Sequence, residues 1–210
     1  MKPIIQLIAT AAATVAFATS AIAAEAPDAL VKRISADVIE TVKADKDIQA
    51  GNRAKIMDLV NSKILPHVDA EKMTQQAAGR YWRQATPEQQ KQLIKEFTNL
   101  LVYTYAGALS QIKNETVEFK PFRADAGASD VEVRSQVNVA RGEPITLNYR
   151  LSNGPQGWKI YDINVLGAWL VQTYTSTFAS EIGKTGIDGL IKKLAERNQQ
   201  LASKPLKAPK

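Results

Sequence analysis

Ile145-Thr146-Leu147-Asn148-Tyr149-Arg150-Leu151-Ser152-Asn153-Gly154-Pro155-Gln156-Gly157-Trp158-Lys159-Ile160-Tyr161-Asp162-Ile163-Asn164-Val165-Leu166 decides the fold. Ile145, Leu147, Tyr149 and Leu151 alternate with Thr146, Asn148 and Arg150, the period of a half-buried strand. Ser152 to Gly157 is turn chemistry. The next strand starts in phase at Trp158 and Ile160 and then shifts, leaving Ile163 and Val165 apolar and Asp162 and Asn164 polar. A bulge or burial on both sides explains such a shift.

Upstream, Val131, Val133, Val137 and Val139 alternate with Glu132, Arg134, Gln136 and Asn138, and Val117 and Phe119 alternate with Glu118 and Lys120. Arg141-Gly142-Glu143-Pro144 supplies another turn. Strands in one phase predict an antiparallel sheet of about four strands with one wet and one apolar face. Further upstream the period is helical. Leu30, Ile34, Val38 and Val42 form one stripe, and a helix from Asn52 to Leu65 ends at Pro66. A short helix spans Ala70 to Ala78 before Gly79. Thr86-Pro87-Glu88-Gln89 carries the signature of a capping box with proline in the first turn. The long helix after it presents Leu93, Phe97, Leu100, Leu101, Tyr105, Ala108, Leu109 and Ile112 on a broad apolar face. Downstream, Gly167 ends the last strand, and Leu170, Tyr174 and Phe178 recur four apart on a helix. Gly183 and Gly186 bracket a turn before a final helix with Ile187, Leu190, Ile191 and Leu194. Helices, a meander, then helices give an α+β fold: a curved antiparallel sheet wrapped by helices.

The segment before this domain reads as an address. Met1-Lys2-Pro3, an apolar run to Phe17 and Ala21-Ile22-Ala23-Ala24 make a secretory signal peptide cleaved near Ala23. The run is short of the ~20 apolar residues of a comfortable membrane span, which favours the signal peptide over the alternative, an N-terminal anchor helix. The expected organisation is a signal peptide over 1–23, one domain over 24–203 and a basic flexible tail over 204–210. The mature protein is then exported and periplasmic. The formal charge of +6 and pI of about 9.4 invite a nucleic-acid reading, but the charges are not spread. Lys2 leaves with the signal, and Lys192, Lys193, Arg197, Lys204, Lys207 and Lys210 face only Glu196 at the C-terminal end. The body is balanced, which argues against nucleic acid.

The chemistry is mostly excluded. The absence of cysteine rules out disulfides, thiolate metal sites and a cysteine nucleophile. One histidine, His67, rules out a two-histidine metal site, and its place after Pro66 fits a helix end or the surface. No nucleophile elbow, phosphate loop or dinucleotide-binding glycine pattern is present. Gly183-Lys184-Thr185-Gly186 lies between helices rather than after a strand, so it reads as a turn. Asp162 within an apolar strand is either an outward carboxylate paired with a neighbouring Arg or Lys, the favoured reading, or a proton-transfer base in a small cone-shaped fold. No catalytic residue, metal or cofactor is expected.

What remains in excess is apolar surface. Leu101, Tyr105, Leu109, Val133, Val137, Leu147, Tyr149, Ile160, Leu170, Tyr174 and Phe178 suit either an ordinary core or the lining of an apolar cavity between sheet and helices. Periodicity does not separate the two. The expectation taken forward is the cavity. A small-molecule enzyme on a cone-like fold and a ligand-free periplasmic chaperone or adaptor are the competing readings.

Several stretches resemble one family across the mature chain, in order. They are Leu65-Pro66-His67-Val68-Asp69, Gly79-Arg80-Tyr81-Trp82-Arg83-Gln84-Ala85-Thr86-Pro87-Glu88-Gln89, Trp158-Lys159-Ile160-Tyr161-Asp162-Ile163 and Gly186-Ile187-Asp188-Gly189-Leu190-Ile191. Together they are similar to the MlaC family of toluene-tolerance auxiliary proteins. Gly167-Ala168-Trp169-Leu170 stands where the family usually has Gly-Val-Ser-Leu, Thr173-Tyr174-Thr175 where it has Asn-Tyr-Arg, and Ala70 follows Asp69 where it has an aromatic. The resemblance implies a monomeric periplasmic carrier that holds phospholipid acyl chains in an apolar cavity. It also implies two partners, an outer-membrane lipoprotein complex and an inner-membrane ABC transporter complex, with outer-membrane lipid asymmetry as the outcome. Arg80, Arg83 and Arg134 are candidates either for meeting a phosphate at the cavity mouth or for a solvated or partner-facing role.

Overall fold

The structure, a computed structural model, describes residues 25–125, 127–139, 143–165 and 167–206. The expected signal peptide and the last four residues lie outside them. Among the described residues no helix is long and apolar enough to cross a membrane.

Helix α1 (Pro27–Ala44) buries the stripe read in the sequence, Leu30, Ile34, Val38 and Val42, together with Val31. A single turn, α2 (Lys46–Gln49), follows with Asp45 accepting from the Asp47 and Ile48 backbone N–H groups. Helix α3 (Arg53–Leu59) starts on an Asn52 cap. Its α-helical part ends before the expected Leu65, because the chain widens into a π-turn over Val60–Ile64 and then tightens to a 3₁₀ turn over Leu65–His67. Pro66 has no N–H and its ring crowds the carbonyl four residues back, so a regular α-helix cannot approach it undisturbed. Asp69 caps α4 (Ala70–Ala78) through the Lys72 N–H at 2.9 Å, and Gly79 leaves the helix with φ 55°.

Helix α5 (Pro87–Tyr105) begins as the sequence indicates. The Gln89 N–H donates to Thr86 Oγ1 at 3.2 Å, and the Thr86 N–H donates to Gln89 Oε1 at 3.0 Å. Thr86→Ala should therefore cost about 1 kcal/mol of stability in urea unfolding, and Thr86→Ser should recover most of it.

Among the described residues the sheet has six strands rather than about four. They are β1 (Thr116–Phe119), β2 (Asp130–Val133), β3 (Ser135–Asn138), β4 (Ile145–Gly154), β5 (Gly157–Val165) and β6 (Ala168–Trp169). Five run in the order β1-β3-β4-β5-β6, and β2 also pairs with β4. The single run expected over Val131–Val139 is divided by Arg134. Its two halves keep the same register on β4, Val133 opposite Tyr149 and Gln136 opposite Thr146. Between them the ladder is replaced by side chains: the Ser135 N–H donates to Asn148 Oδ1 at 3.1 Å and the Ser135 hydroxyl donates to the Leu147 carbonyl. The other extra strand is β6, which folds back on β5 at Gly167 (φ 88°). The phase shift in β5 is a bulge. Arg150 pairs with Asp162 and Leu151 with Ile160, so Tyr161 is the extra residue. Burial on both faces accompanies it, since Ile160, Tyr161 and Asp162 are all buried.

Helix α6 (Leu170–Ala202) is broken at Gly186, whose φ of 75° and ψ of −179° no helix accommodates. The break falls where the sequence predicts a turn, although Gly183 stays helical. Lys193 forms an ion pair with Glu181, twelve residues away. A straight helix would separate them by about 18 Å, so the two halves fold back sharply. Gly189 lies so close to Thr185 that a Cβ there would meet Thr185 Oγ1 at 2.0 Å.

Two buried clusters result. The first joins α1 to α3 with the sheet face of Val133, Tyr149, Leu151 and Ile160. The second packs α4, α5 and α6 around Phe97 and Phe178, whose rings meet edge-on at 4.9 Å. Helix α5 serves both, giving Val102 to the first and Leu93, Phe97 and Leu100 to the second. The chain stays attached past Ala202. Leu206 is buried in the first cluster, and Arg53 Nη1 donates to the Leu201 and Lys204 carbonyls at 3.4 and 2.9 Å. Packing therefore does not stop at the expected 203/204 boundary.

Candidate functional site

The residues expected to line a cavity divide between the two clusters. Val133, Tyr149 and Ile160 are buried in the first, with Leu109 and Leu147 packed at its margin. Phe178 is buried in the second, with Leu101 and Tyr174 at its margin. Leu170 is buried at the start of α6, and Val137 and Tyr105 are half-buried. In this structure Val133, Tyr149, Ile160, Leu170 and Phe178 are packed as core. The half-buried residues Leu101, Tyr105, Leu109, Val137, Leu147 and Tyr174 still have surface to offer.

Strand register shows why. Cross-strand neighbours share a face, so one face carries Val137 and Ile145, Leu147 and Val165, Tyr149 and Ile163, and Leu151 and Ile160. Burial deepens along this row. Ile145 and Leu147 are half-buried, Tyr149 is 8% exposed and Leu151 is fully enclosed. The apolar face is thus sealed beside α1 and left partly open at the Ile145 end. Ile145, Ile163 and Val165 belong to this open stretch. Their alternation was visible in the sequence, but only the register distinguishes the sealed end from the open one.

Buried and half-buried phenols border both clusters. Burial pushes Tyr149 up to about 12, with Ser35 of α1 and Ser135 nearby as partners. Burial likewise raises Tyr105, and raises Tyr174 to about 12 with the Tyr105 hydroxyl adding to it. Tyr174 also packs its ring edge-on against Phe97 at 5.1 Å.

Asp162 is not the outward carboxylate expected. It is 1% exposed, because α6 and α4 cover the polar face of β5. Its Oδ1 accepts the Ile163 and Val171 N–H groups at 2.9 and 3.0 Å, and Arg150 Nη1 lies 3.7 Å from Oδ2. Arg150 also stacks over the Trp169 ring at 3.9 Å. The expected pairing with an arginine is present; the solvent is not. Burial raises the carboxyl above its usual value, opposed by these N–H groups and by Arg150. The arrangement holds the first turn of α6 to the sheet. Nearby, Tyr161 donates to Asp130 Oδ1 at 2.8 Å, Lys72 of α4 binds Asp130 Oδ2 at 2.9 Å and the same ammonium lies 4.0 Å from the Tyr161 ring centre.

The arginines named as phosphate candidates lie on the surface. Arg80 donates to the Tyr81 hydroxyl at 2.9 Å, Arg83 is exposed, and Arg134, between β2 and β3, pairs with Glu132 of β2 at 3.0 Å. Among the described residues no cluster of His, Asp or Glu is arranged to hold a metal. His67 lies in a recess beside Arg33 and Lys159, and burial, then these cations, lower its pKa from 6.5. A lowered folded value means that the unfolded chain binds the proton more readily, so His67 supports the fold above pH 6.5 and that support is lost as the pH falls. Urea midpoints at pH 7.5 and 5.0 should show a smaller acid loss for His67→Gln than for the unsubstituted protein.

Comparison with known proteins adds independent findings. A family model described as MlaC protein matches residues 32–196. The "Intermembrane phospholipid transport system binding protein MlaC" of Haemophilus influenzae is 25% identical over 190 residues, covering 89% of this chain and 87% of that protein. The "Toluene tolerance protein ttg2D" of Pseudomonas putida is 27% identical over 202 residues, covering 93% and 94%. Among solved structures, the phospholipid-binding protein from Ralstonia solanacearum, in complex with a phospholipid, is 50% identical. It matches 84% of this chain and 99% of its own with a TM-score of 0.80.

Proposed function

The chain belongs to the MlaC family, and from that premise we propose that it is a periplasmic phospholipid carrier. The observation that carries this reading is the half-identical relative of the same fold whose structure holds a phospholipid. The partly open apolar face of β4 and β5 supports it. At about 0.8 kcal/mol for each buried CH₂, acyl chains need extended apolar surface and little else. Leu147, Val137 and Leu109, with Leu101, Tyr105 and Tyr174 from the helical side, are the lining residues in this proposal. The chains lie between the two clusters, and the packed residues Val133, Tyr149, Ile160, Leu170 and Phe178 form the wall behind them.

The work is non-covalent: Asp162 holds α6 to the sheet and no side chain needs to react. The carrier receives lipid from an outer-membrane lipoprotein complex or an inner-membrane ABC transporter complex, delivers it to the other, and so maintains outer-membrane lipid asymmetry. Native mass spectrometry of the protein purified from the periplasm should show one protein chain with co-purified phospholipid, and the protein should move labelled phospholipid between liposomes. Protein that arrives without lipid and transfers none would overturn the carrier reading.

A further inference from the structure

A recess of about 380 Å³ lies at the hairpin end of β4 and β5, away from the open apolar face, and none of the proposed lipid-lining residues borders it. Its charged lining is Arg33 and Lys159 against one carboxylate, Glu25; His67 lies beside them, and Leu30 and Trp158 supply apolar surface. Glu25 is gripped in parallel: Arg33 Nε donates to Oε1 and Nη2 to Oε2, both at 2.8 Å. This is the planar fork geometry with which guanidinium recognises carboxylate. The residue after Glu25 is extended (Ala26, φ −65°, ψ 146°), so the carboxylate arrives on a strand-like segment. The pair is nevertheless exposed, Arg33 at 51% and Glu25 at 38% of their side chains. An ion pair this open is weakly held and exchangeable.

We propose that the recess is a docking site for an extended acidic segment of a partner protein, whose carboxylate takes the place on Arg33 that Glu25 fills here. Lys159 offers a second positive charge to such a segment, and Trp158 offers a flat surface to the residue beside the carboxylate. The concave shape and the single fork favour one carboxylate on a peptide over the broad cationic surface that a membrane selects. Glu25 acts as a resident competitor, which a partner displaces at small cost.

The test uses the full mature chain, isotope-labelled, with the Trp158 indole and Gly157 amide NMR signals as reporters. The probes are acetyl-Ala-Glu-Ala-Pro-amide, its Gln counterpart, inorganic phosphate and phosphatidylglycerol vesicles. The acidic peptide should shift both signals saturably, bind about fivefold more tightly to Glu25→Gln, and lose binding in Arg33→Gln; the Gln peptide should do nothing. Thermal unfolding checks that both variants fold, and Lys159→Gln provides an independent weakening if Arg33→Gln does not. No saturable shift in Glu25→Gln, or equal binding by the Gln peptide, overturns the proposal. So does a response to phosphate or vesicles alone, which would assign the recess to an inorganic anion or to lipid.

Discussion

Asp162→Ala should lower the unfolding free energy by about 3 kcal/mol. The change removes the acceptor for the Val171 N–H in the first turn of α6. Trp169, at the start of that helix, makes no side-chain cap of its own, so nothing else replaces it. It also leaves Arg150 without its carboxylate, although the Trp169 ring still supports the guanidinium. Asp162→Asn keeps an oxygen at the position of Oδ1 and avoids burying a charge, so it should lose less than half as much in urea unfolding at pH 7. Equal losses from Ala and Asn would mean that charge, not the hydrogen bonds, holds α6.

The same pair of variants has a pH signature. Because the folded carboxyl titrates above its usual 3.8, the native protein binds the proton more readily than the unfolded chain. Its contribution is therefore most favourable in acid and declines as the pH rises from 3.8 through the raised folded value. Carboxylates such as Glu25 and Asp28, lowered by hydrogen bonds from Arg33 and Lys32, act in the opposite sense. The difference between unsubstituted protein and Asp162→Asn isolates one group from the others. That difference should widen as the pH falls toward 3.8 if the Asp162 carboxyl is the source, because the unsubstituted protein alone gains from protonation.

Signals that were local proved readable. The Thr86 capping box, the α1 stripe and the hairpin at Ser152–Gly157 depend on residues within a few positions of one another, and each appears where the pattern places it. Asp162 differs from its outward expectation because alternation assigns it to the polar face of β5 correctly, while only the tertiary packing of α4 and α6 makes that face dry. The strand count failed similarly. Ser135 sits at an apolar position of the alternation, and its hydroxyl and amide divert the ladder to side chains. For the candidate site, apolar identity is legible in the alternation but depth is not: Leu147 and Leu151 look alike in the pattern, yet Leu147 is half-buried and Leu151 is fully enclosed.

Leu147→Glu should lower phospholipid occupancy at least about tenfold while leaving the protein folded. Bringing a carboxylate against acyl chains costs several kcal/mol unless it finds a partner or water, whereas a tenfold loss needs only about 1.4 kcal/mol. Leu147 is suited to the test because it is half-buried at the margin of the first cluster. Its carboxylate can reach solvent in the empty protein, so the fold should lose no more than about 2 kcal/mol. Tyr149 is a poor choice for the same experiment, since it is buried and its phenol is enclosed between Ser35 and Ser135; a charge there would unfold the sheet and lose lipid for that reason alone. The control is one residue away. Thr146 is exposed and, by the period of two, points to the opposite face of β4, so Thr146→Glu adds the same charge on the same strand without approaching the acyl chains. Native mass spectrometry of both variants, beside Leu147→Met as a volume-conserving substitution, then separates the faces. Lipid lost from Leu147→Glu alone places acyl chains on the Leu147 face, and lipid retained by Leu147→Glu at full occupancy removes β4 from the binding surface.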